Sequence, residues 1–533
     1  MTGGLIQLVA YGTEDLYLVN EPQITFFKVV YRRHTNFSTE EIKQSFSHNL
    51  DFGRRVTVTL SRDGDLIRQI TLVIQLPSIP QFLDSDGNVD NITKIAWVRR
   101  IGYAIIKDIE IEIGGELIDR QYGDFLNIWH DLTLTANRNI NALIGDVDTL
   151  TTFTNGKQGY ILYIPLQFWF NRITGLALPI VSLQYSHINI NVELNDIQSC
   201  YILSPTHIIQ LDNDFVNYTD FEFLEQTVNG ITSLARFIYF DIINKELYIL
   251  RLSNNGFQSV TFSGNVNNPR TILYSGSSLT PTLVNEQYFI NGLTSGFQGM
   301  PNLNAVESIY NNNNINVNSV LSTLSLTDAY LLVEYIYLDT EERVRFSKSK
   351  LEYLIEQVSY NGEKVISGIN QSFKVGFTQP CKELIWVTQL SITTNPRVND
   401  IFNYTNSLIR DNNEDLVGSN IVLNETILFN GQQRLTLRDS DYFTYIQQYQ
   451  NHTNGTNSVI NTYSFALYPE KHQPSGTANF SKIDNITLQL NVMPIITFNN
   501  SAVVRIYGIF YNILRVAHGI SGLVFAIDTN IIY

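Results

Sequence analysis

The sequence has little of what a disulfide-stabilised, metal-binding or membrane-spanning protein needs. Its 533 residues include two cysteines, Cys200 and Cys381, whose spacing fits neither a disulfide framework nor a metal or redox motif. Such a composition favours a reducing compartment. No uninterrupted apolar run reaches about 18 residues, so no transmembrane helix is expected. The N-terminal residues also lack the basic leader and apolar core that are typical of a signal peptide.

Charge is scarce as well, and the balance is acidic. Charged residues make up 16% of the chain, and the formal net charge is -15. Contact along nucleic acid needs clustered Lys and Arg to neutralise phosphates, so no direct nucleic-acid binding is expected. Apolar residues make up 44% of the chain, which allows large buried cores, and the length predicts about two to four domains.

Motifs that carry chemistry are absent from the sequence. It contains no Gly-rich phosphate loop, GxSxG elbow, HExxH motif or CxxC pair, and its eight histidines show no metal-ligand spacing. DSDGNVD (84–90) offers three Asp side chains but lacks the downstream Glu of a calcium loop, so an Asp/Gly turn is favoured. We therefore expect no enzyme activity, no cofactor and no metal site.

Two aromatic runs leave a sugar-binding role open. They are LQFWF (166–170) and DYFTYIQQY (441–449), and large aromatic side chains occur both on sugar platforms and in cores or subunit contacts. Core or subunit-contact roles are favoured.

Alternation of apolar and polar residues is the dominant pattern. HININVEL (187–194) and NITLQLNV (485–492) each place apolar side chains on one face and polar side chains on the other, which is typical of half-buried strands. Turn pairs separate such runs and supply the positive φ of tight hairpins: Asp63-Gly64, Gly114-Gly115, Asn361-Gly362 and Asn430-Gly431. The chain is predicted to be all-β.

The two halves of the chain repeat one order of segments. Each half has a strand, a Gly turn, a second strand and an Asp-aromatic segment, then an aromatic strand, an alternating strand and a closing strand. The segments are 111–129, 160–170, 187–194 and 330–338 in the first half, and 427–449, 461–469, 485–492 and 503–514 in the second. We interpret them as two tandem eight-stranded jelly rolls, because eight strands is the jelly-roll number.

The repeat predicts the domain organisation. Asp339 or Thr340 can cap a short helix between the halves, with Glu341 and Glu342 in its first turn. The segment 196–327 interrupts the first half; it is rich in Asn, Ser and Gly but includes strand-like runs, so a folded surface insertion is expected. The predicted parts are an arm (1–25), the first jelly roll (26–338) with its insertion (196–327), a connector helix (339–350) and the second jelly roll (351–533).

Long segments along the chain carry a family resemblance. They are GGLIQLVAYGTEDLYLVNEPQITFFKVVYRRHTNFSTE (3–40), IEIGGELIDRQYG (111–123), YIPLQFWF (163–170), YIYLDTEERVRF (335–346), EYLIEQV (352–358), KELIWV (382–387) and YSFALYPEKHQPSGTANFSKIDN (463–485). In these segments the chain resembles the major capsid proteins of nucleocytoplasmic large DNA viruses, with phycodnavirus, mimivirus and iridovirus members as the nearest types.

The resemblance implies a structural role. It implies a double jelly roll that forms homotrimeric, pseudo-hexagonal capsomers, which tile the icosahedral shell of a large double-stranded DNA virus. The implied place is the virion, after assembly in the host cytoplasm. The implied partners are the chain itself, neighbouring capsomers, minor capsid and penton proteins, and the inner viral membrane through the arm. Alternatives are a minor or paralogous capsid component, or a β-sandwich carbohydrate-binding protein or glycosidase.

The residues expected to act in assembly lie at the N-terminus. Leu5, Leu8 and Val9 give the arm a small apolar face that is broken at Gly12 and ended before Pro22. The run FFKVVYRRH (26–34) is expected to be the joint with the first jelly roll. There Phe26 and Phe27 would pack, while Lys28, Arg32 and Arg33 would pair with acidic neighbours.

Overall fold

The structure is a computed structural model that describes residues 3–525, apart from 11, 14, 85, 134–138, 260–287, 311–314, 412–415, 455–458 and 498–499. Part of the predicted insertion and of the Asn-rich run 311–318 therefore lies outside the described residues. None of the helices in the described part is both long enough and apolar enough to span a bilayer.

The first sandwich consists of two antiparallel sheets of four strands each. Sheet 1 contains, in spatial order, Phe37–Ser45, Asp328–Leu338, Leu66–Leu76 and Tyr160–Pro165. Sheet 2 contains Arg55–Thr59, Ile188–Leu194, Ile106–Ile113 and Glu116–Tyr122. A separate pair joins Lys94–Trp97 to Tyr201–Ser204.

Alternating residues of sheets 1 and 2 build the core between them. In strand Ile188–Leu194 the side chains of Ile188, Ile190 and Val192 are buried in this core. Leu72 and Ile74 enter the same core from sheet 1. The alternation predicted for 187–194 therefore gives the face that strand Ile188–Leu194 buries, because successive side chains point to opposite faces of a sheet.

The second sandwich repeats the first strand for strand. Sheet 3 contains Leu351–Ile366, Ala502–Ala517, Pro380–Leu390 and Asn461–Ser464, with Ala478–Asn479 and Ile520–Leu523 added at its margins. Sheet 4 contains Asn370–Val375, Ile486–Val492, Val422–Phe429 and Gln432–Gln433, with Arg438–Asp439 beside them. The prediction of two tandem eight-stranded jelly rolls is confirmed.

Of two predicted hairpin turns, one is a turn in the structure and the other is a β-bulge. Gly114 and Gly115 have φ of 63° and 86° and join strands Ile106–Ile113 and Glu116–Tyr122, as predicted. Asn361-Gly362 is not a hairpin turn. It lies inside the long strand Leu351–Ile366, where the pairing register shifts and Gly362 has a φ of 75°. Glycine is required at both places by positive φ, which serves a β-bulge as well as a turn.

Helices are short and lie mainly at the margins of the sandwiches. The α-helices are Gly3–Val9, Leu16–Val19, Ile101–Ala104, Gly123–Thr133, Asn141–Ile144, Asp148–Thr151, Trp169–Arg172, Ile315–Ser322, Thr340–Lys348 and Gln447–Asn451. Turns of 3-10 helix lie at Thr174–Leu176, Ile180–Ser182, Ile197–Ser199 and Phe480–Lys482, and a π-helix lies at Tyr442–Ile446. The helix predicted between the halves is Thr340–Lys348, and the Asp339 side chain accepts the backbone N–H of Thr340 at its start.

The segment between strands Tyr201–Ser204 and Asp328–Leu338 forms a sheet of its own. This insertion sheet contains seven strands in the order Gln298–Gly299, Ile290–Gly292, Phe223–Val228, Ile231–Asp241, Glu246–Arg251, His207–Gln210 and Ser308–Ile309. A separate apolar cluster, which includes Phe237 and Ile249, covers one face. The other face packs against Val398 and Leu408 of a loop in the second half. The insertion is therefore folded in its described part.

Candidate assembly surfaces

The N-terminal arm is exposed over most of its described residues. Helix Gly3–Val9 buries none of its residues, and residues 18–36 are likewise exposed up to strand Phe37–Ser45. Leu5, Leu8 and Val9 are among the exposed apolar side chains of that helix. An apolar helix face without cover in one chain marks a surface that needs a partner.

The predicted joint at 26–34 does not pack against its own chain. The Phe27 side chain is 98% exposed, and Phe26 is nearly as exposed. Lys28, Arg32 and Arg33 are exposed too, and within the described residues no acidic side chain forms an ion pair with any of them. The packing and pairing expected of these five residues are thus absent from the described part of the single chain.

The contact between the two jelly rolls shows how one sandwich packs on the other. Helix Gly123–Thr133 follows the last strand of sheet 2 and carries Phe125, Ile128, Trp129 and Leu132 on one side. These side chains share a buried cluster with residues of sheet 3 and of nearby loops of the second jelly roll: Val358, Ile385, Val387, Tyr404, Val459, Ile460, Tyr507 and Ile509. The helix therefore lies on the outer face of sheet 3.

A polar group inside this cluster joins the two halves. Asp124 accepts hydrogen bonds from Tyr404 at 2.5 Å and Tyr507 at 2.8 Å, and its Oδ2 lies 3.2 Å from Nε of Arg505. Burial alone would lower the pKa of Arg505, but Asp124 together with the neighbouring Tyr507, Tyr404 and Tyr360 raises the pKa above its usual value. Arg505 therefore remains charged in the junction.

A second charged group lies at the same junction. Arg172 of the first jelly roll lies 3.2 Å from Glu356 of sheet 3, Nη1 to Oε2, and the buried Lys382 contacts the other oxygen of that carboxylate. His472 lies 3.8 Å from it. Burial raises the pKa of Glu356, but His472, Arg172 and Lys382 together bring it below the usual value. These contacts stabilise one relative placement of the two sandwiches.

Two segments that were weighed as a calcium loop and a sugar platform have other roles in the described structure. The described residues contain no group of three or more His, Cys, Asp or Glu side chains that could hold a metal ion. In the segment 84–90, Asp84 accepts the backbone N–H groups of Asp86 and Asn88, which is an Asx-type turn. Phe168, Trp169 and Phe170 of the first aromatic run are buried in the core and offer no platform.

The second aromatic run behaves differently. Residues 442–451 form a π-helix and an α-helix in sequence, and Phe443 is buried while Tyr445 and Tyr449 are exposed. The sequence pattern showed an Asp-aromatic segment in both halves. It did not show that one copy is buried at the junction of the jelly rolls and the other is exposed.

Comparison with known proteins agrees with this architecture. Residues 25–240 match the family described as major capsid protein N-terminus, and residues 342–522 match the large eukaryotic DNA virus major capsid protein family. The "Probable capsid protein 4" of Acanthamoeba polyphaga mimivirus is 40% identical over 98% of this chain and 99% of that protein. The major capsid protein of Phaeocystis pouchetii virus is 31% identical over 99% of this chain and 100% of that protein.

Solved structures share the fold at lower identity. The Faustovirus major capsid protein has a TM-score of 0.62 and 11% identity, over 95% of this chain and 94% of that chain. A quasi-atomic model of the PBCV-1 virus capsid has a TM-score of 0.57 and 23% identity, over 94% of this chain and 100% of that chain. Two sandwiches of matching strand order, end-to-end sequence relatives and this shared fold lead to one conclusion: the chain belongs to the major capsid protein family of large eukaryotic DNA viruses, and it is a structural protein of the capsid and not an enzyme.

Proposed function

We propose that three copies of the chain form a homotrimeric, pseudo-hexagonal capsomer, and that these capsomers tile the icosahedral shell of a large double-stranded DNA virus. One observation carries the proposal: each chain holds two sandwiches with the same strand order, fixed to each other by a buried junction. Three such chains around a threefold axis present six similar lobes, and closed rings are the common form of homo-oligomers.

The exposed arm supports contacts beyond the trimer. Apolar side chains of its described part are exposed in the single chain, among them Leu5, Leu8 and Ile24, and such surfaces are usually covered in an assembly. We assign the arm to neighbouring capsomers, to minor capsid and penton proteins, or to the inner viral membrane. Helix Gly3–Val9 has 7 residues, which suits lying on a membrane surface but is too short to span one.

The proposed domain division places each part in the shell. It keeps the arm (1–25), the first jelly roll (26–338), the connector (339–350) and the second jelly roll (351–533), with 196–327 projecting at the outer end of the first jelly roll and covering the capsomer top. The separate apolar core of the insertion sheet supports treating 196–327 as a folded part in its own right. The two cysteines are free and buried, which suits assembly in the reducing host cytoplasm.

The mass of the purified protein tests the proposal. Sedimentation at micromolar concentration is expected to give three chain masses and no folded monomer, because obligate interfaces bury roughly 2,000–5,000 Å² and leave each subunit incomplete alone. A well-folded monomer under these conditions would contradict the proposal.

A paralogous capsid component is the second candidate. The observation that favours it is the mimivirus relative, which carries the name of a numbered capsid protein and is 40% identical, against 31% for the major capsid protein of Phaeocystis pouchetii virus. Copy number in purified virions, measured by quantitative mass spectrometry, separates the two. A shell-forming protein is expected to be the most abundant capsid chain, whereas a paralogous component would be present in few copies.

A further inference from the structure

The two jelly rolls carry equivalent helices at the same topological position. Helix Gly123–Thr133 follows sheet 2, and the helical segment 442–451 follows strand Arg438–Asp439 beside sheet 4. Leu126 of the first helix enters the core of its own sandwich, as Phe443 does in the second. These two inward side chains align the helices, and with them Asp124 with Asp441.

This alignment pairs the outward side chains of the first helix with aromatic and apolar side chains of the second. Phe125, Ile128, Trp129 and Leu132 correspond to Tyr442, Tyr445, Ile446 and Tyr449. In the α-helix Gly123–Thr133 these i, i+3, i+4 and i+7 positions share one face. In the second segment Tyr442 packs against the core of its own sandwich, whereas Tyr445, Ile446 and Tyr449 form an exposed aromatic and apolar surface.

The environments of the two faces differ. The face of helix Gly123–Thr133 is buried on sheet 3. On the second helix, by contrast, Tyr445 is 57% exposed, Ile446 is 46% exposed and Tyr449 is 88% exposed. A face built for docking in one half of the repeat is thus exposed in the other half of the same chain.

The receiving sheets show the same difference. In sheet 3 the central strand Pro380–Leu390 is buried on both faces from residue 381 to residue 390. In sheet 1 the corresponding strand Leu66–Leu76 has side chains of intermediate exposure on its outer face, among them Thr71 and Gln75. The outer face of sheet 1 is therefore less covered than that of sheet 3, although Val73 on this face is itself buried.

A row of apolar and aromatic residues lies across the outer face of sheet 1. Tyr163 pairs with Val73, and Val73 pairs with Tyr330, so the three residues lie side by side across the sheet. Ile161 and Tyr163 on the edge strand are exposed, and Leu332 is partly exposed. Aromatic and aliphatic side chains in such a row are suited to receive an aromatic helix face.

We propose that the helical segment 442–451 of one chain docks on the outer face of sheet 1 of a second copy. This contact repeats between chains the contact that helix Gly123–Thr133 makes on sheet 3 within a chain. This docking rests on the proposed trimer, and it identifies the two surfaces that meet between neighbouring chains of that trimer. The interface is head-to-tail, since a helix of one copy meets a sheet of the next, and such interfaces close into rings when the rotation allows.

Acidic and basic side chains lie at the two surfaces. Asp439 and Asp441 lie at the start of the helical segment, whereas Lys43 and Arg68 lie on sheet 1 with half-exposed side chains, paired within the chain with Asp328 at 3.1 Å and Glu334 at 2.8 Å. Lys43 Nζ lies 3.8 Å from the ring centroid of Tyr330, so its charge is held at the row that would receive the helix. Opposite charges of this kind favour the correct partner and register.

Photocrosslinking within the assembled protein tests the docking directly. A photoreactive phenylalanine derivative replaces Tyr449 in chains of normal isotope content, which are co-assembled with uniformly heavy chains. Light–heavy cross-links from position 449 are expected on strands Leu66–Leu76, Tyr160–Pro165 or Asp328–Leu338. The same probe at the exposed Ile243 of the insertion is the control and is expected to label none of these strands. Cross-links from position 449 to any other part of the heavy chain overturn the proposal.

Substitutions supply an independent measurement. The double variant Tyr445→Glu with Tyr449→Glu, and separately Tyr163→Glu, are each expected to weaken association roughly tenfold or more, because aromatic anchors carry much of an interface's affinity. Ile243→Glu is expected to retain the trimer. If the unaltered chain is itself monomeric, the proposed function fails. If it is a trimer and the Tyr445/Tyr449 and Tyr163 variants remain trimers, the trimer stands and the docking surfaces assigned here are wrong.

Discussion

Arg505 of the second jelly roll lies 3.2 Å from Asp124 of the first, Nε to Oδ2, inside the apolar contact between the two sandwiches. Tyr404 and Tyr507 donate hydrogen bonds to the same carboxylate. Such a buried group is costly unless it is fully partnered, and once partnered it favours a single arrangement of the surfaces that surround it. This ion pair therefore contributes to how the two lobes of one chain are oriented.

Replacing Asp124→Asn should destabilise the chain strongly. The change keeps the side-chain shape but leaves the buried Arg505 with only the half-exposed Glu363, 3.7 Å from Nη1, as a counter-charge, and breaking a buried pair costs about 3–5 kcal/mol. Chemical unfolding at neutral pH measures the loss. The control is Glu352→Gln, which breaks an ion pair with Arg515 whose side chains are both more than half exposed. That change should cost about 0–1 kcal/mol. Equal effects of the two substitutions would show that the junction ion pair has no special role.

His452 should make the free energy of unfolding fall as the pH rises above neutral. Its ring is fully buried between Glu383 at 2.7 Å and Glu470 at 3.1 Å. Burial lowers the pKa of His452, but the two carboxylates outweigh it and raise the pKa to about 9. Because the folded pKa lies above the unfolded value of 6.5, this stabilisation is fully present below pH 6.5 and is lost as pH rises to about 9. It amounts to about 3 kcal/mol.

The variant His452→Gln isolates that contribution. Unfolding free energies measured from pH 6 to pH 9.5 should fall more steeply in the unaltered protein than in the variant, so the difference between them narrows as pH rises. The exposed His48, changed to Gln, serves as the matched control and should leave the slope as it is. A constant difference between unaltered protein and His452→Gln across this range would mean that His452 is not charged in the folded state.

Features that depend on neighbouring residues could be predicted from the sequence, whereas contacts between distant residues could not. The strands, the repeat and the connector helix were predicted because alternation and the Asp339 cap are short-range signals. The junction was not predicted, because Tyr507 and Asp124 lie 383 residues apart in the sequence. The residues next to either one do not indicate which distant residue it contacts. Asn361-Gly362 was predicted as a hairpin turn because a bulge and a turn need the same positive φ.

The insertion should be the first part of intact particles to be cut by a protease. Its hairpin tip exposes Ile242 and Ile243, and exposed tips are preferred cleavage sites. The jelly-roll strands, by contrast, are paired in sheets. Limited proteolysis of particles, followed by mass spectrometry of the fragments, should place the earliest cuts within 196–327. The same digestion of unfolded chains provides the control for intrinsic site preference. Early cuts confined to the jelly-roll strands would mean that the insertion is not on the outer surface.

Deletion of residues 2–20 should separate folding from assembly. Helix Gly3–Val9 buries none of its residues in the single chain, so its loss removes no core contact, and folded trimers should still form with the thermal stability of the unaltered protein. Incorporation into shells should fall, because the deletion removes the apolar face of Leu5, Leu8 and Val9 that we assign to neighbouring capsomers or a membrane surface. Co-assembly with unaltered chains, with each form quantified in purified particles, measures this.

A full-length variant separates the apolar face from the length of the arm. Changing Leu5, Leu8 and Val9 together to Ser keeps every residue of the arm but removes its apolar side chains, and it should impair incorporation about as much as the deletion does. Exposed apolar side chains contribute by burial against a partner, at roughly 25 cal/mol per Å² removed from water, so the polar arm loses that contribution. If the deleted form fails to fold, the arm belongs to the core of the trimer. If both forms enter particles normally, neither the arm nor its apolar face acts in assembly.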